Sequence, residues 1–323
     1  MSGSAPSQLE RIRALGASLR PTPMVPLECE GIRLFAKLEF CNHFGSVKDR
    51  SAYWILKSAI EAGDIENGST IIESSSGNFA NALACYCRLL DLRFIPVIDP
   101  NITRGNESHL REMCQRVEKV EKRDDMGGFL KTRLQRVKEL MEQEPGAYWT
   151  NQYGNEWAVE AHYRLTGEEL CQSFSQLDYI FIGVSTAGTI AGISRRLKER
   201  FPSVQVIAVD VEGSVIFGGM PRRRYIPGIG SSISPGLLRQ ARIDDVVMVS
   251  EQETVRGCNE LLVRHGVFAG GSSGSAYAAV KAYLPKMHSL SAPPTVAFLC
   301  ADSGKSYLET VFNPDWCNSR FGM

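Results

Sequence analysis

Asp178-Tyr-Ile-Phe-Ile-Gly-Val-Ser-Thr-Ala-Gly-Thr189 passes from an apolar run directly into small and hydroxylated residues. The run up to Val184 predicts a buried strand, because it is short, continuous and rich in β-branched and aromatic side chains. Residues 190–200 then predict a helix, and 204–210 a second strand. Working outward, the same alternation recurs on both sides. Toward the N-terminus, 33–40 predicts a strand, 47–63 a helix, 70–73 a strand, 78–90 a helix and 94–98 a strand. Ser46 is placed to cap the helix over 47–63, with Asp49 three positions on as in a capping box. Pro96 points to an edge position or a local departure from regular pairing. Helices are predicted over 110–120 and 128–143, around a charged run from Glu118 to Asp125 that reads as solvated surface. Toward the C-terminus, 246–249 and 295–300 predict two more strands. Strands that alternate with helices give an α/β fold with parallel pairing, in which ligands gather at the carboxyl ends of the strands.

Bulk properties narrow the class. The chain has 323 residues, 43% hydrophobic and 22% charged, enough for two domains with substantial cores. Lys and Arg number 36 and Asp and Glu 36, so no net charge draws the protein to nucleic acid or an anionic membrane. The start Met1-Ser-Gly-Ser-Ala-Pro-Ser7 lacks the basic and apolar regions of a secretory leader, and no stretch approaches a membrane span. A cytoplasmic location is expected. The nine cysteines are irregularly spaced with no C-x-x-C pair, which predicts reduced, structural thiols. The five histidines form no metal-binding pattern.

The chemistry lies at the predicted strand-to-helix junctions. In Gly45-Ser-Val-Lys-Asp-Arg50, Lys48 falls in a first helical turn, where the positive end of the helix dipole disfavours a second positive charge. That field favours the neutral amine needed for imine formation. Glu73-Ser-Ser-Ser-Gly-Asn78 sets hydroxyls and free N–H groups at a helix start, a site for a carboxylate or phosphate. Gly183-Val-Ser-Thr-Ala-Gly-Thr189 lets backbone N–H groups converge on phosphate oxygens, yet is neither a Walker loop nor a G-x-G-x-x-G turn. Phe268-Ala-Gly-Gly-Ser-Ser-Gly-Ser275 offers a serine hydroxyl suited to a pyridine nitrogen, and Ser303-Gly304 is a weaker element of the same kind. Taken singly, each has a plainer meaning: a surface lysine, a capped helix, a tight turn. Five polar junctions in one chain are harder to explain that way.

The ordered set S-V-K-D-R at 46–50, S-S-G-N at 75–78, S-T-A-G-T at 185–189, G-G-S-S-G at 270–274 and D-S-G at 302–304 resembles fold-type II pyridoxal-phosphate enzymes. The resemblance is to the cysteine synthase and cystathionine β-synthase group and runs from about Pro21 to Leu308. It implies a tryptophan synthase β-like α/β fold of two open, twisted, mostly parallel sheets flanked by helices. A smaller mobile domain over 42–157 and a larger phosphate-binding domain from 1–41 and 158–323 are implied with it. The implied cofactor is pyridoxal 5′-phosphate, and a homodimer acting on small amino acids is implied as well.

Carried over by motif, the resemblance makes Lys48 the Schiff-base lysine and the proton shuttle at Cα. Asn78 is implied at the cofactor's 3′-oxygen, Ser185, Thr186, Ala187, Gly188 and Thr189 at its phosphate, and Ser272 at its pyridine nitrogen. Ser75, Ser76 and Gln152 are implied at the substrate carboxylate, with Phe79, Tyr153, Arg133 and Gly228 as further substrate residues. Within the group, Phe35-Ala-Lys-Leu-Glu39, Gly127-Gly-Phe-Leu-Lys-Thr-Arg133, Asn151-Gln-Tyr153, Gly213-Ser-Val-Ile-Phe-Gly218, Pro227-Gly-Ile-Gly230 and Phe268-Ala-Gly-Gly271 are similar to the N-(2-amino-2-carboxyethyl)-L-glutamate synthases. That similarity implies β-replacement between O-phospho-L-serine and L-glutamate, on the way to 2,3-diaminopropionate for a siderophore or an antibiotic. Phe79-Ala80 stands where cysteine synthases have Thr-Gly, and Ser185 where they have Gly, both adding bulk near the site. A sulfhydrylase that makes cysteine from phosphoserine or acetylserine is the alternative within the same chemistry. A catalytically silent binding protein is the alternative of another class. The run Arg222-Arg-Arg224 reads either as a solvated loop or as a grip on anionic substrate.

Overall fold

The computed structural model describes residues 6–124 and 127–323; Asp125, the end of the charged run, and residues 1–5 of the start lie outside them. In chain order the strands are β1 Met24–Leu27, β2 Arg33–Leu38, β3 Thr70–Ser74, β4 Arg93–Ile98, β5 Glu118–Lys119, β6 Tyr148–Trp149, β7 Tyr179–Gly183, β8 Gln205–Val211, β9 Asp245–Val249 and β10 Thr295–Cys300. The chain divides into two compact units. Unit 1 takes the N-terminal segment through Arg20 together with Lys48–Ala158, and unit 2 takes Pro21–Val47 together with Val159–Met323. The sequence reading placed the N-terminal segment with the larger domain. The helix Gln8–Ser18 belongs instead to unit 1, where Gln8 is buried and its amide donates to Leu90 O at 3.3 Å.

Unit 1 is a parallel four-stranded sheet in the order β5-β4-β3-β6. β3 is buried at every position, as its apolar Ile71 and Ile72 require, and packs with Ile95, Val97, Val137 and Leu140. Burying a side chain of this size contributes about 1.5–3 kcal/mol. β4 has neighbours on both sides, so Pro96 is not on an edge strand. β5 pairs only from Val97 onward, so the missing Pro96 N–H falls before that ladder begins. The expected helix over 110–120 is corrected: the helix is Arg104–Met113, started by the Thr103 hydroxyl accepting from Asn106 N at 3.3 Å. Cys114 is already extended, and 118–119 pairs with β4. Pairing with a neighbouring strand overrides the local helical pattern here.

Unit 2 is a six-stranded sheet in the order β1-β2-β10-β7-β8-β9, parallel except for β1 against β2. Its core joins Leu34, Phe181, Ile207, Val209, Tyr277, Val280 and Phe298, with Phe181 and Phe298 fully buried. β7 is the Asp178–Val184 apolar run, flanked on both edges by parallel strands, which explains its lack of polar alternation. All nine cysteines are free. Among the described residues no helix is long and apolar enough to cross a membrane.

Candidate active site

In unit 1 the carboxyl end of β3 organises one set of side chains. Glu73 is fully buried and accepts from Ser74 N at 2.8 Å, Thr150 Oγ1 at 2.6 Å and Gln152 N at 3.2 Å. Gln152 answers by donating from Nε2 to Ser74 O at 3.1 Å. The turn after β3 and the loop 150–153 are thereby tied into one body, with Asn151 held at φ 45°. Burial pushes the Glu73 carboxyl up to about 7, against the three hydrogen bonds and the Arg133 charge that favour its ionised form.

The helix Asn78–Leu89 begins after Gly77, which has no side chain to cap it. Ser75 Oγ accepts from Ala80 N at 3.2 Å and retains its own proton for donation. Ser76 Oγ accepts from Asp99 N at 3.3 Å and from Arg133 Nη1 at 3.2 Å. Arg133 also pairs with Asp99 at 3.2 Å, so it bears on this turn through Ser76. Phe79 is buried, and Asn78 and Tyr153 are half-buried. Lys48 is the first residue of the helix Lys48–Ala62, one residue later than expected. The preceding residues belong to unit 2: Val47 N donates to Ala301 O at 2.8 Å, and Ser46 bridges Asp302. Lys48 follows that anchored pair by one peptide bond.

In unit 2 a second set gathers at the carboxyl end of β7. The helix Gly188–Arg200 is preceded by Ala187 at φ 66°, ψ −5°, again without a side-chain cap. Ser185 Oγ donates to Gly230 O at 3.1 Å, and Gly230 N donates to Val184 O at 2.7 Å, so the 228–230 loop is clamped to this turn. Gly183 is needed for a close approach: a Cβ there would lie 3.3 Å from both Ser272 Cβ and Ile229 Cδ1. Ser272 is 6% exposed at the start of the helix Gly271–His288, and among the described residues no group bonds its hydroxyl. That hydroxyl keeps a proton to donate.

Several residues that the sequence reading did not single out support these sets. Tyr307 donates to Asp302 Oδ2 at 2.8 Å, while Gly270 N donates to Asp302 O at 3.0 Å. Burial first, and then the Asp302 charge, drive the Tyr307 phenol well up, keeping it a donor. Thr189 meets His162, and Glu73 meets Thr150, from distant parts of the chain. The arginine run divides: Arg224 donates to Ile229 O at 3.3 Å and Ser232 Oγ at 3.4 Å, and Arg223 lies over the Tyr225 ring. Arg224 therefore holds the 229–232 loop.

Residues 6–302 match the family described as "Pyridoxal-phosphate dependent enzyme". The chain belongs to the pyridoxal-phosphate-dependent enzyme family. Two relatives bear the name N-(2-amino-2-carboxyethyl)-L-glutamate synthase. One, from Ralstonia nicotianae, is 43% identical over 91% of this chain and 88% of its own. The other, from Cupriavidus metallidurans, is 41% identical over 93% and 89%. Among solved structures, the O-acetylserine-dependent cystathionine β-synthase of Helicobacter pylori superposes with a TM-score of 0.81 at 27% identity, over 95% of this chain and 98% of that one. This pyridoxal-phosphate enzyme has a donor set that fits its cofactor. The uncapped start of Gly188–Arg200 suits an anion, and the unpartnered Ser272 hydroxyl suits a neutral aromatic nitrogen.

Proposed function

We propose that the enzyme performs a β-replacement on O-phospho-L-serine, with L-glutamate as the incoming amine, giving N-(2-amino-2-carboxyethyl)-L-glutamate and phosphate. The observation that carries this reading is likeness, over about nine-tenths of the chain, to two proteins bearing that product's name. In the balanced reaction the Cβ–O bond to phosphate breaks and a Cβ–N bond to glutamate forms, with one ammonium proton of glutamate passing to the departing phosphate. Pyridoxal phosphate, when bound, supplies the electron sink that lets the Cα–H bond break.

The chain's own residues do the rest. Lys48 would hold the cofactor through its amine, and the same amine would move the proton at Cα. Residues Ser185, Thr186, Ala187, Gly188 and Thr189 hold the cofactor phosphate at the helix start, Ser272 donates to the ring nitrogen, and Asn78 meets the 3′-oxygen. Ser75, Ser76 and Gln152 grip the substrate α-carboxylate. Arg133 keeps Ser76 in place rather than touching substrate, consistent with its pairing to Asp99. Phe79, Tyr153 and Gly228 shape the space for the second amino acid. A homodimer and a cytosolic location belong to the same proposal.

The test is incubation of purified enzyme with phosphoserine and either glutamate or sulfide, and with acetylserine in place of phosphoserine, following phosphate release and product mass. Glutamate-dependent phosphate release with the mass of the coupled product is the expected result. Release that needs sulfide and ignores glutamate would make the enzyme a sulfhydrylase. A preparation without visible absorbance, and without cofactor by mass spectrometry, would make it a binding protein.

A further inference from the structure

Thr189 ends the 185–189 turn and is the second residue of the helix Gly188–Arg200. Its hydroxyl lies 3.2 Å from Nε2 of His162, and Nδ1 of the same ring lies 3.0 Å from the Thr166 hydroxyl. His162 is 1% exposed and Thr166 is fully buried. Both lie in His162–Gly167, a π-helical turn leading into the α-helix Glu168–Ser173. Such turns are rare, and in a helix they re-aim side chains, often at functional sites. The facing helix makes room for it. Gly192 follows Thr189 by one turn, and a Cβ there would stand 2.6 Å from Tyr163 N and 2.7 Å from His162 Cβ. Only glycine at 192 lets the two backbones come close enough for the ring to reach Thr189.

We propose that His162 is a positioning residue that directs the Thr189 hydroxyl proton toward the cofactor phosphate. The inference rests on the reading that residues 185–189 hold that phosphate. A phosphate dianion only accepts hydrogen bonds, whereas a threonine hydroxyl has a single proton to give. Were Nε2 an acceptor, Thr189 would spend its proton on the ring and face the phosphate with lone pairs. In the proposed arrangement the Thr166 hydroxyl, 3.0 Å from Nδ1, donates to it, and the ring then carries its proton on Nε2. The chain of donors then runs Thr166 Oγ1–H to Nδ1, Nε2–H to Thr189 Oγ1, and Thr189 Oγ1–H to the phosphate. Two buried side chains, neither touching the cofactor, thus orient one bond to it.

The experiment reconstitutes apo-enzyme with pyridoxal phosphate and measures its dissociation constant and the ³¹P resonance of the bound cofactor. The variants are Thr189→Val, His162→Leu, His162→Gln and the double Thr189→Val/His162→Leu. Thr189→Val should weaken binding about tenfold, the effect of one hydrogen bond to a charged group. His162→Leu should weaken it roughly three- to tenfold and move the ³¹P resonance. His162→Gln carries an amide N–H near the Nε2 position and should restore both. The double variant should bind no worse than Thr189→Val alone. Independent, multiplying losses, or a His162→Gln that behaves like His162→Leu, overturn the positioning role. A Thr189→Val enzyme with unchanged affinity and unchanged ³¹P signal overturns the phosphate reading of the turn, and this inference with it. Should His162→Leu not fold, Thr166→Val takes its place: a shifted ³¹P resonance supports the relay, and an unshifted one overturns it.

Discussion

After β3 the chain turns through residues 75–77 into a helix whose N-cap, Gly77, has φ −137° and ψ −146°. After β7 it turns through residues 184–187 into a helix whose N-cap, Ala187, has φ 66° and ψ −5°. Both helices start without a side-chain cap, and both turns are built of small residues. The supports differ. Behind the first turn is a polar assembly of Glu73, Thr150, Gln152, Asp99 and Arg133, which leaves the serine hydroxyls placed by hydrogen bonds. Behind the second are side-chain packing against Gly183, a close backbone approach at Gly192 and the clamp from Ser185 to Gly230. The first turn is positioned by carboxylates and an arginine, the second by close packing together with the Ser185 and His162 hydrogen bonds. A group that must meet varied or transient carboxylates is well served by the former, and one that keeps a permanent anion by the latter.

The largest expected effect lies with Lys48, which stands in the same unit as the first turn. Lys48→Ala should cut turnover by about a thousandfold or more, the scale of a lost proton-transfer group, and abolish the visible absorbance of the bound cofactor. Substitutions in the second turn should weaken cofactor binding while leaving that absorbance in the fraction still loaded. Turnover within tenfold of wild type in Lys48→Ala would break the comparison at its root.

Next comes Glu73. Glu73→Leu should lower stability by about 3 kcal/mol, because Ser74 N, Thr150 Oγ1 and Gln152 N lose a buried acceptor; the urea midpoint measures it. The pH dependence has a fixed sign. The folded-state value, about 7, lies above the ordinary carboxylate value of 4.5, so the folded protein binds the extra proton. The contribution is complete below about 4.5 and is lost as pH rises through about 7. Glu73→Gln cannot titrate, and its stability should be flatter than wild type between these limits. Equal slopes for the two proteins would remove Glu73 from the first turn's support.

The smaller effects distinguish the two caps. Ala187 is in the left-handed region, where a β-branched side chain is strained, so Ala187→Val should cost about 2 kcal/mol. Gly77 has a negative φ of −137°, and a Cβ there meets nothing within 4 Å. Gly77→Ala should therefore change the melting temperature by the equivalent of less than about 0.5 kcal/mol. A large loss at 77 and none at 187 would reverse the assignment of close packing to the second turn.

The parts of the two residue sets that could be read from the chain are the ones encoded within a few residues. The strand 178–184, the small-residue loop and the helix after it form one continuous local signal, and each junction motif is similarly short. Lys48 and Ser272 stood out because their neighbours are unusual. The supports were not legible for the opposite reason. Glu73 and Thr150 are 77 residues apart, and His162 and Thr189 are 27 apart, with nothing near either partner to announce the pairing. The two-residue strands β5 and β6 are too short to carry a period, and the helix predicted over 110–120 yielded to pairing with β4.

Composition, alternation and the five junction motifs by themselves determined an α/β chain with small, hydroxylated residues at its strand-to-helix junctions. Tertiary structure alone decided which buried groups hold those junctions: Glu73 under the first turn, His162 and Gly192 behind the second, Tyr307 on Asp302. The physical reason is that a hydrogen bond or a backbone approach depends on position in space to within about half an ångström. Local sequence specifies the conformation of each segment, whereas the register between distant segments is set only when the cores around them pack.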